Sequence, residues 1–131
     1  MLEERLKERF KDYKNALVRL NESCSLDPNN DIVIDGVIQR FEFTFELSWK
    51  LIKLYLEYVG LGEENSPRNV IKLAYKAGIL SDGDAWIYMM IDRNKTSHIY
   101  DAALANEIYN NIKSKHTKLL EELLEKMMSC I

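Results

Sequence analysis

Leu2, Leu6, Phe10, Tyr13, Leu17 and Leu20 recur at three- and four-residue steps with Lys, Arg and Glu between them. That stripe predicts an amphipathic helix from about Leu2 to Asn21. The pattern lapses over Ser23 to Asn30, where Asp27-Pro28 disfavours helical geometry before the proline. From an N-cap at Asn30 or Asp31, apolar positions Ile34, Val37, Ile38, Phe41, Phe45, Trp49, Ile52, Leu56 and Val59 run on to Gly60, a good C-terminal stop. About 28 residues at 1.5 Å rise make this second helix roughly 42 Å long. A second stripe, Phe43, Leu47, Leu51, Leu54 and Tyr58, lies beside the first, so the helix needs cover on two sides, one of them expected from another subunit.

Ser66-Pro67 is an N-cap followed by proline at the first helical position, and Val70, Ile71, Ala74 and Tyr75 carry a short third helix to Gly78. A fourth opens between Ser81 and Asp84 and runs through Trp86, Ile87, Met89 and Met90 to about Asn94. Asp101 caps a fifth through Ala105, Ile108, Ile112, Leu119, Leu120, Leu123 and Met127. Trp49, Trp86 and the two methionines sit at core spacing and are read as packing. No strand alternation or internal repeat competes. The expectation is an all-α, five-helix up-and-down bundle with one very long helix, a single domain over 1–131.

Length and composition narrow the function. At 131 residues the chain holds one core, and 47% apolar with 30% charged residues excludes intrinsic disorder. A net charge of −3 excludes nucleic-acid binding through bulk positive charge but not a local basic cleft. Cys24 and Cys130 have no metal-ligand spacing, and with two histidines they form no familiar zinc pattern. The charged start of the chain lacks the apolar run of a signal peptide, and no segment approaches a membrane span, so a cytoplasmic protein with reduced thiols is expected.

The densest group of reactive side chains is Arg93-Asn94-Lys95-Thr96-Ser97-His98-Ile99-Tyr100-Asp101, between the fourth and fifth helices. On one straight helix, Arg93 and Tyr100 would share a face while His98 pointed about 140° away. If the chain leaves the helix near Thr96 and re-enters at Asp101, the imidazole swings back beside the guanidinium and Tyr100 stands at the rim. A guanidinium holds phosphate by charge-assisted bonds, and histidine as a side chain moves protons near neutrality. Together they suit metal-free phosphodiester cleavage, His98 taking a ribose 2′-hydroxyl proton and Arg93 offsetting the growing charge, with Asn94 on the phosphate or the ring. By spacing alone, one Arg and one His at a helix end are more often a cap and a surface charge pair.

The order Arg93, Asn94, three residues, His98, one residue, Tyr100 resembles the signature of HEPN domains of the HepT type. Arg40-Phe41-Glu42-Phe43-Thr44-Phe45-Glu46-Leu47-Ser48-Trp49-Lys50 resembles a second hallmark, that of the branch called nucleotidyltransferase substrate-binding proteins. Ser66-Pro67-Arg68, Ala77-Gly78-Ile79-Leu80 and Trp86 follow in similar order. The resemblance covers nearly the whole chain and implies a HEPN-like bundle working as a homodimer. It also implies a metal-independent ribonuclease toxin with Arg93 and His98 of both subunits facing a shared cleft. A separate minimal nucleotidyltransferase would serve as antitoxin, transferring AMP to Tyr100. The chain lacks a Gly-Ser transferase motif and a Gly-rich phosphate loop, so it would be the acceptor, with no cofactor.

Glu42 and Glu46, four apart on one helix face, resemble half of a carboxylate metal site when taken with Asp35. Without a Glu-x-x-His partner, ion pairs or a polar lining for the cleft, together with Lys95, fit them better. His116, amid Lys113, Lys115 and Lys118, is expected on a solvated basic face. A second reading, a non-catalytic docking subunit for the nucleotidyltransferase, uses the same residues; a third, a purely structural helical adaptor, is favoured if Arg93 and His98 lie far apart and fully exposed.

Overall fold

The computed structural model describes residues 1–131. Helix α1 (Leu2–Cys24) runs to a turn at Asp27-Pro28, whose Asp27 carboxylate accepts the Asn29 N–H at 3.0 Å. It outlasts the expected end because the Ser23 hydroxyl donates back to the Leu20 carbonyl, 2.7 Å, so that serine rides the last turn and proline enforces the stop. Asn30 caps α2 (Asp31–Tyr58), its side chain accepting from Ile32 N–H. The exit uses Gly60 at φ +76°, which lets the Leu61 N–H reach the Leu56 carbonyl at 2.9 Å. Ser66 and Pro67 open α3 (Pro67–Lys76), and Asp82 caps α4 (Gly83–Asn94).

After α4 comes a single 3₁₀ turn, Thr96–His98, and Asp101 then caps α5 (Ala102–Asn111) by accepting from Ala103 and Leu104 N–H. The expected fifth helix is continuous in direction but not uniform. A π turn, Ile112–His116, separates α5 from α6 (Thr117–Cys130). Within it the Ser114 hydroxyl donates to the Asn110 carbonyl four residues back, 2.7 Å, a bond that competes with the regular ladder.

Every other helix touches α2. Its Val37, Ile38, Phe41, Phe45, Leu51 and Ile52 are buried, with Phe45 tilted on Trp86 at 6.3 Å between ring centroids. Each such side chain contributes roughly 1.5–3 kcal/mol by leaving water. Of the second stripe, Leu51 and Leu54 are buried, Phe43 and Leu47 half-buried and only Tyr58 exposed. One chain therefore covers most of the circumference that was expected to need a second subunit, because α1 lies along that flank. Trp86, Met89 and Met90 are core residues, whereas Trp49 is half-buried and donates its Nε1–H to Glu46 Oε2 at 3.1 Å.

His116 corrects its sequence reading. It is 1% exposed, not solvated. Its Nε2 donates to Asp92 Oδ2 at 2.7 Å, its ring stacks on Phe41 at 5.3 Å, and Nδ1 has no partner. The Asn111 side-chain amide donates to the same Asp92 oxygen and to the Tyr88 hydroxyl, both at 3.1 Å. Lysines on either side mask a position that the π turn rotates inward. This buried pair ties the last turn of α4, and hence the backbone of Arg93, to the fifth helix.

Tyr13 makes the corresponding tie from α1: its buried hydroxyl donates to the Leu120 carbonyl at 2.6 Å. Burial, then the charge of Glu121, pushes the phenol well above its ordinary value. A raised phenol pKa means that folding favours the neutral form. The contribution is complete below the unfolded value of about 10 and is lost as pH climbs beyond it toward the folded one. Tyr13→Phe is expected to lose about 1 kcal/mol at pH 7 in urea unfolding and to decline less steeply than wild type above about pH 10. Parallel alkaline declines would show that Tyr13 does not carry that pH dependence.

Candidate functional site

The break between α4 and α5 is built by threonine. The Thr96 hydroxyl lies 2.8 Å from both the Arg93 carbonyl and Glu42 Oε2, sharing its one proton between them, and the residue is buried. It closes the last turn of α4 and pins the 3₁₀ turn to α2. Two backbone bonds, His98 N–H to Lys95 and Asp101 N–H to His98, then turn the chain into the α5 cap.

Arg93, in the last turn of α4, is half-buried and turns toward α2 rather than toward His98. Its Nη2 lies 3.2 Å from Glu46 Oε1 and 4.0 Å from Glu42 Oε1, while its buried Nε has no partner. Glu46 is thus shared, one oxygen on Arg93 and the other on the Trp49 indole. In place of the direct guanidinium–imidazole approach expected from the sequence, the cation is engaged by two carboxylates on a neighbouring helix. No group of three Asp, Glu, His or Cys side chains is placed to hold a metal ion.

His98 ends the 3₁₀ turn in solvent. Tyr100, 84% exposed, sets its ring edge-on to the imidazole at 6.0 Å, with its hydroxyl 3.5 Å from His98 Nδ1. Asn94 and Lys95 are exposed on the same break. The structure therefore makes two sub-clusters, Arg93 with Glu42, Glu46 and Thr96, and His98 with Tyr100, joined by a short run of chain. An anion entering between them would meet a guanidinium whose donors are only partly used and an imidazole exposed to solvent.

Sequence reasoning placed the break near Thr96 but missed the bonds its hydroxyl makes, and it missed Asp92 altogether. Thr96 carried a local signal, a hydroxyl three residues after the last helical arginine, suited to bond back to its carbonyl. Asp92 carried none, since its partners lie 19 and 24 residues away across a π turn.

Comparison with known proteins bears on the family and the fold. The family described as nucleotidyltransferase substrate binding protein like matches residues 8–129. A Haemophilus influenzae protein named probable ribonuclease HepT is 31% identical over 128 residues, 89% of this chain and 88% of that protein. A crystal structure from Thermus thermophilus superposes with a TM-score of 0.82 at 33% identity, covering 88% of this chain and 98% of that one. At 17% identity, a Shewanella oneidensis HEPN toxin, tri-AMPylated and in complex with an MNT antitoxin, has the same fold: TM-score 0.76 over 95% of this chain and 96% of that one. The chain belongs to the nucleotidyltransferase substrate-binding-protein-like family, among its HepT-like members.

Proposed function

We propose that this protein is a HepT-like ribonuclease toxin, a metal-independent endoribonuclease that works as a homodimer and is silenced by AMP transfer to Tyr100. The observation that carries the reading is the open break itself, where Arg93 and exposed His98 flank a single turn stitched by Thr96. His98 takes the proton of a ribose 2′-hydroxyl, whose oxygen attacks the adjacent phosphorus. The P–O5′ bond breaks, the proton passes to the leaving 5′-oxygen, and a 2′,3′-cyclic phosphate remains. Arg93 swings from Glu46 to the phosphate, satisfying its unpartnered Nε–H and offsetting the charge that grows in the transition state. Asn94 and Lys95, on the same rim, hold the flanking phosphates.

Support for the homodimer comes from α4, where Tyr88 and Ile91, 44% and 41% exposed, present apolar surface beside the motif. Support for regulation comes from the Tyr100 hydroxyl at 3.5 Å from the imidazole. An AMP group there sets a phosphate against His98 and excludes the RNA phosphate by bulk and charge. The partner is a cognate minimal nucleotidyltransferase, in keeping with the Shewanella toxin and its MNT antitoxin. The non-catalytic docking subunit remains the second reading, favoured by the engagement of Arg93 with two carboxylates in the free chain.

His98→Ala is expected to abolish cleavage of a defined RNA in EDTA while leaving the thermal midpoint within a few degrees, since an exposed side chain contributes little packing. Retained cleavage would favour the docking subunit. Tyr100→Phe keeps the ring and removes the acceptor oxygen. Mass spectrometry after incubation with the nucleotidyltransferase and ATP should show added AMP on wild type and none on the variant, and equal modification of both would remove Tyr100 from the role. Sedimentation at micromolar concentration should give a dimer burying at least about 1,000 Å², and Ile91→Glu should shift it to monomer.

A further inference from the structure

We infer that the groove between the N-terminal half of α1 and the C-terminal half of α2 is a binding track for single-stranded RNA leading into the Arg93–His98 break. The inference rests on the ribonuclease reading for the identity of the ligand, and otherwise on the surface itself. The groove is lined by Arg5 and Arg9, four apart on one face of α1, and by Trp49, Lys50, Lys53 and Glu57 of α2. Lys53 is held by Glu57 at 2.8 Å. Arg5, Arg9 and Lys50 make no ion pair, which leaves a surplus of three positive charges in one groove of a chain whose net charge is −3. Unpaired cations held this close repel one another, so their grouping is stabilised when an anionic strand runs between them.

A relay of side-chain contacts links the groove to the candidate site. Trp49 Nε1 donates to Glu46 Oε2 at 3.1 Å, and Glu46 Oε1 holds Arg93 Nη2 at 3.2 Å. From Glu46 to Lys53 is seven residues of helix, roughly 10 Å along the axis. The half-buried indole lines the groove among the cations, combining phosphate neutralisation with a surface on which a base stacks, the pairing that single-strand binders use. An acidic protein surface would be served by the cations alone. The indole is the observation that favours a nucleic acid. It also assigns work to Trp49 and Lys50, which stand in the second family-like segment and take no part in the cleavage step.

The test uses the full chain with His98→Ala, so that the probe survives, and a fluorescently labelled single-stranded RNA of about 12 nucleotides. Anisotropy titrations across salt concentrations compare this protein with Arg5→Gln/Arg9→Gln/Lys50→Gln and, separately, with Trp49→Ala. The triple variant is expected to bind at least tenfold more weakly at about 0.1 M salt, with the slope of log K against log salt shallower by about 2, at about 0.7 per lost cation. Trp49→Ala should bind about fivefold or more weakly with the slope unchanged, the mark of lost stacking. Circular dichroism checks that both variants fold, and returning lysine at position 50 of the triple variant should recover part of the slope.

Absence of RNA binding by the His98→Ala protein, or equal affinity and slope in the triple variant, overturns the track. So does weakened binding to the nucleotidyltransferase with RNA binding unchanged, which would reassign the groove to a protein partner. The two readings separate cleanly. RNA bound through the groove but left uncut by wild type defeats the nuclease and leaves the track standing, whereas RNA cut equally well by wild type and triple variant defeats only the track.

Discussion

A single long helix, apolar over most of its circumference, constrains everything else in this fold. Because α2 must be covered along most of its length, the remaining helices are arranged around it; its small polar residues Thr44 and Ser48 are buried by bonding back to their own helix, while its charged ones emerge at the surface or in seams between neighbours. Glu42 and Glu46 emerge in the seam that faces the end of α4. That is why the chain break after Arg93 falls beside two carboxylates: Thr96 binds one, Arg93 pairs with both, and the 3₁₀ turn is held against the bundle at its base while His98 and Tyr100 stay in solvent.

Shared acceptors give the site its character. Glu46 divides its oxygens between a guanidinium and an indole, and Asp92, the residue before Arg93, directs one oxygen to both His116 and Asn111. The backbone at the end of α4 is thus fixed on its core side by a buried pair, while the Arg93 side chain is held on the other by half-exposed carboxylates that water can replace. Such a division suits a residue whose anchor has to be rigid and whose head group has to change partner.

The elements themselves were legible because their signals are local. Asn30, Ser66-Pro67, Asp82 and Asp101 mark helix starts through hydroxyl, amide or carboxylate oxygens that reach an N–H two or three residues on, and Gly60 and Gly78 mark exits through positive φ. The departure from helix after Arg93 could be anticipated from the polar run and the Asp101 cap. The facing of its side chains could not. Whether Arg93 meets His98 or Glu46 depends on a helix some fifty residues earlier, and His116 reads as one more polar residue among lysines until the π turn rotates it onto Phe41.

The sequence by itself determined five helical segments, their caps and stops, the stripe of each that turns inward, and the set of residues gathered at one break, since all of these follow from periodicity and from contacts within a turn or two. Only the tertiary structure decided which charges pair across helices, how much of α2 the chain covers for itself, and that basic residues from the start of α1 and the far half of α2 line one groove. Those outcomes depend on axial rotation and register between helices, which a few buried side chains set collectively and no single stretch of sequence encodes.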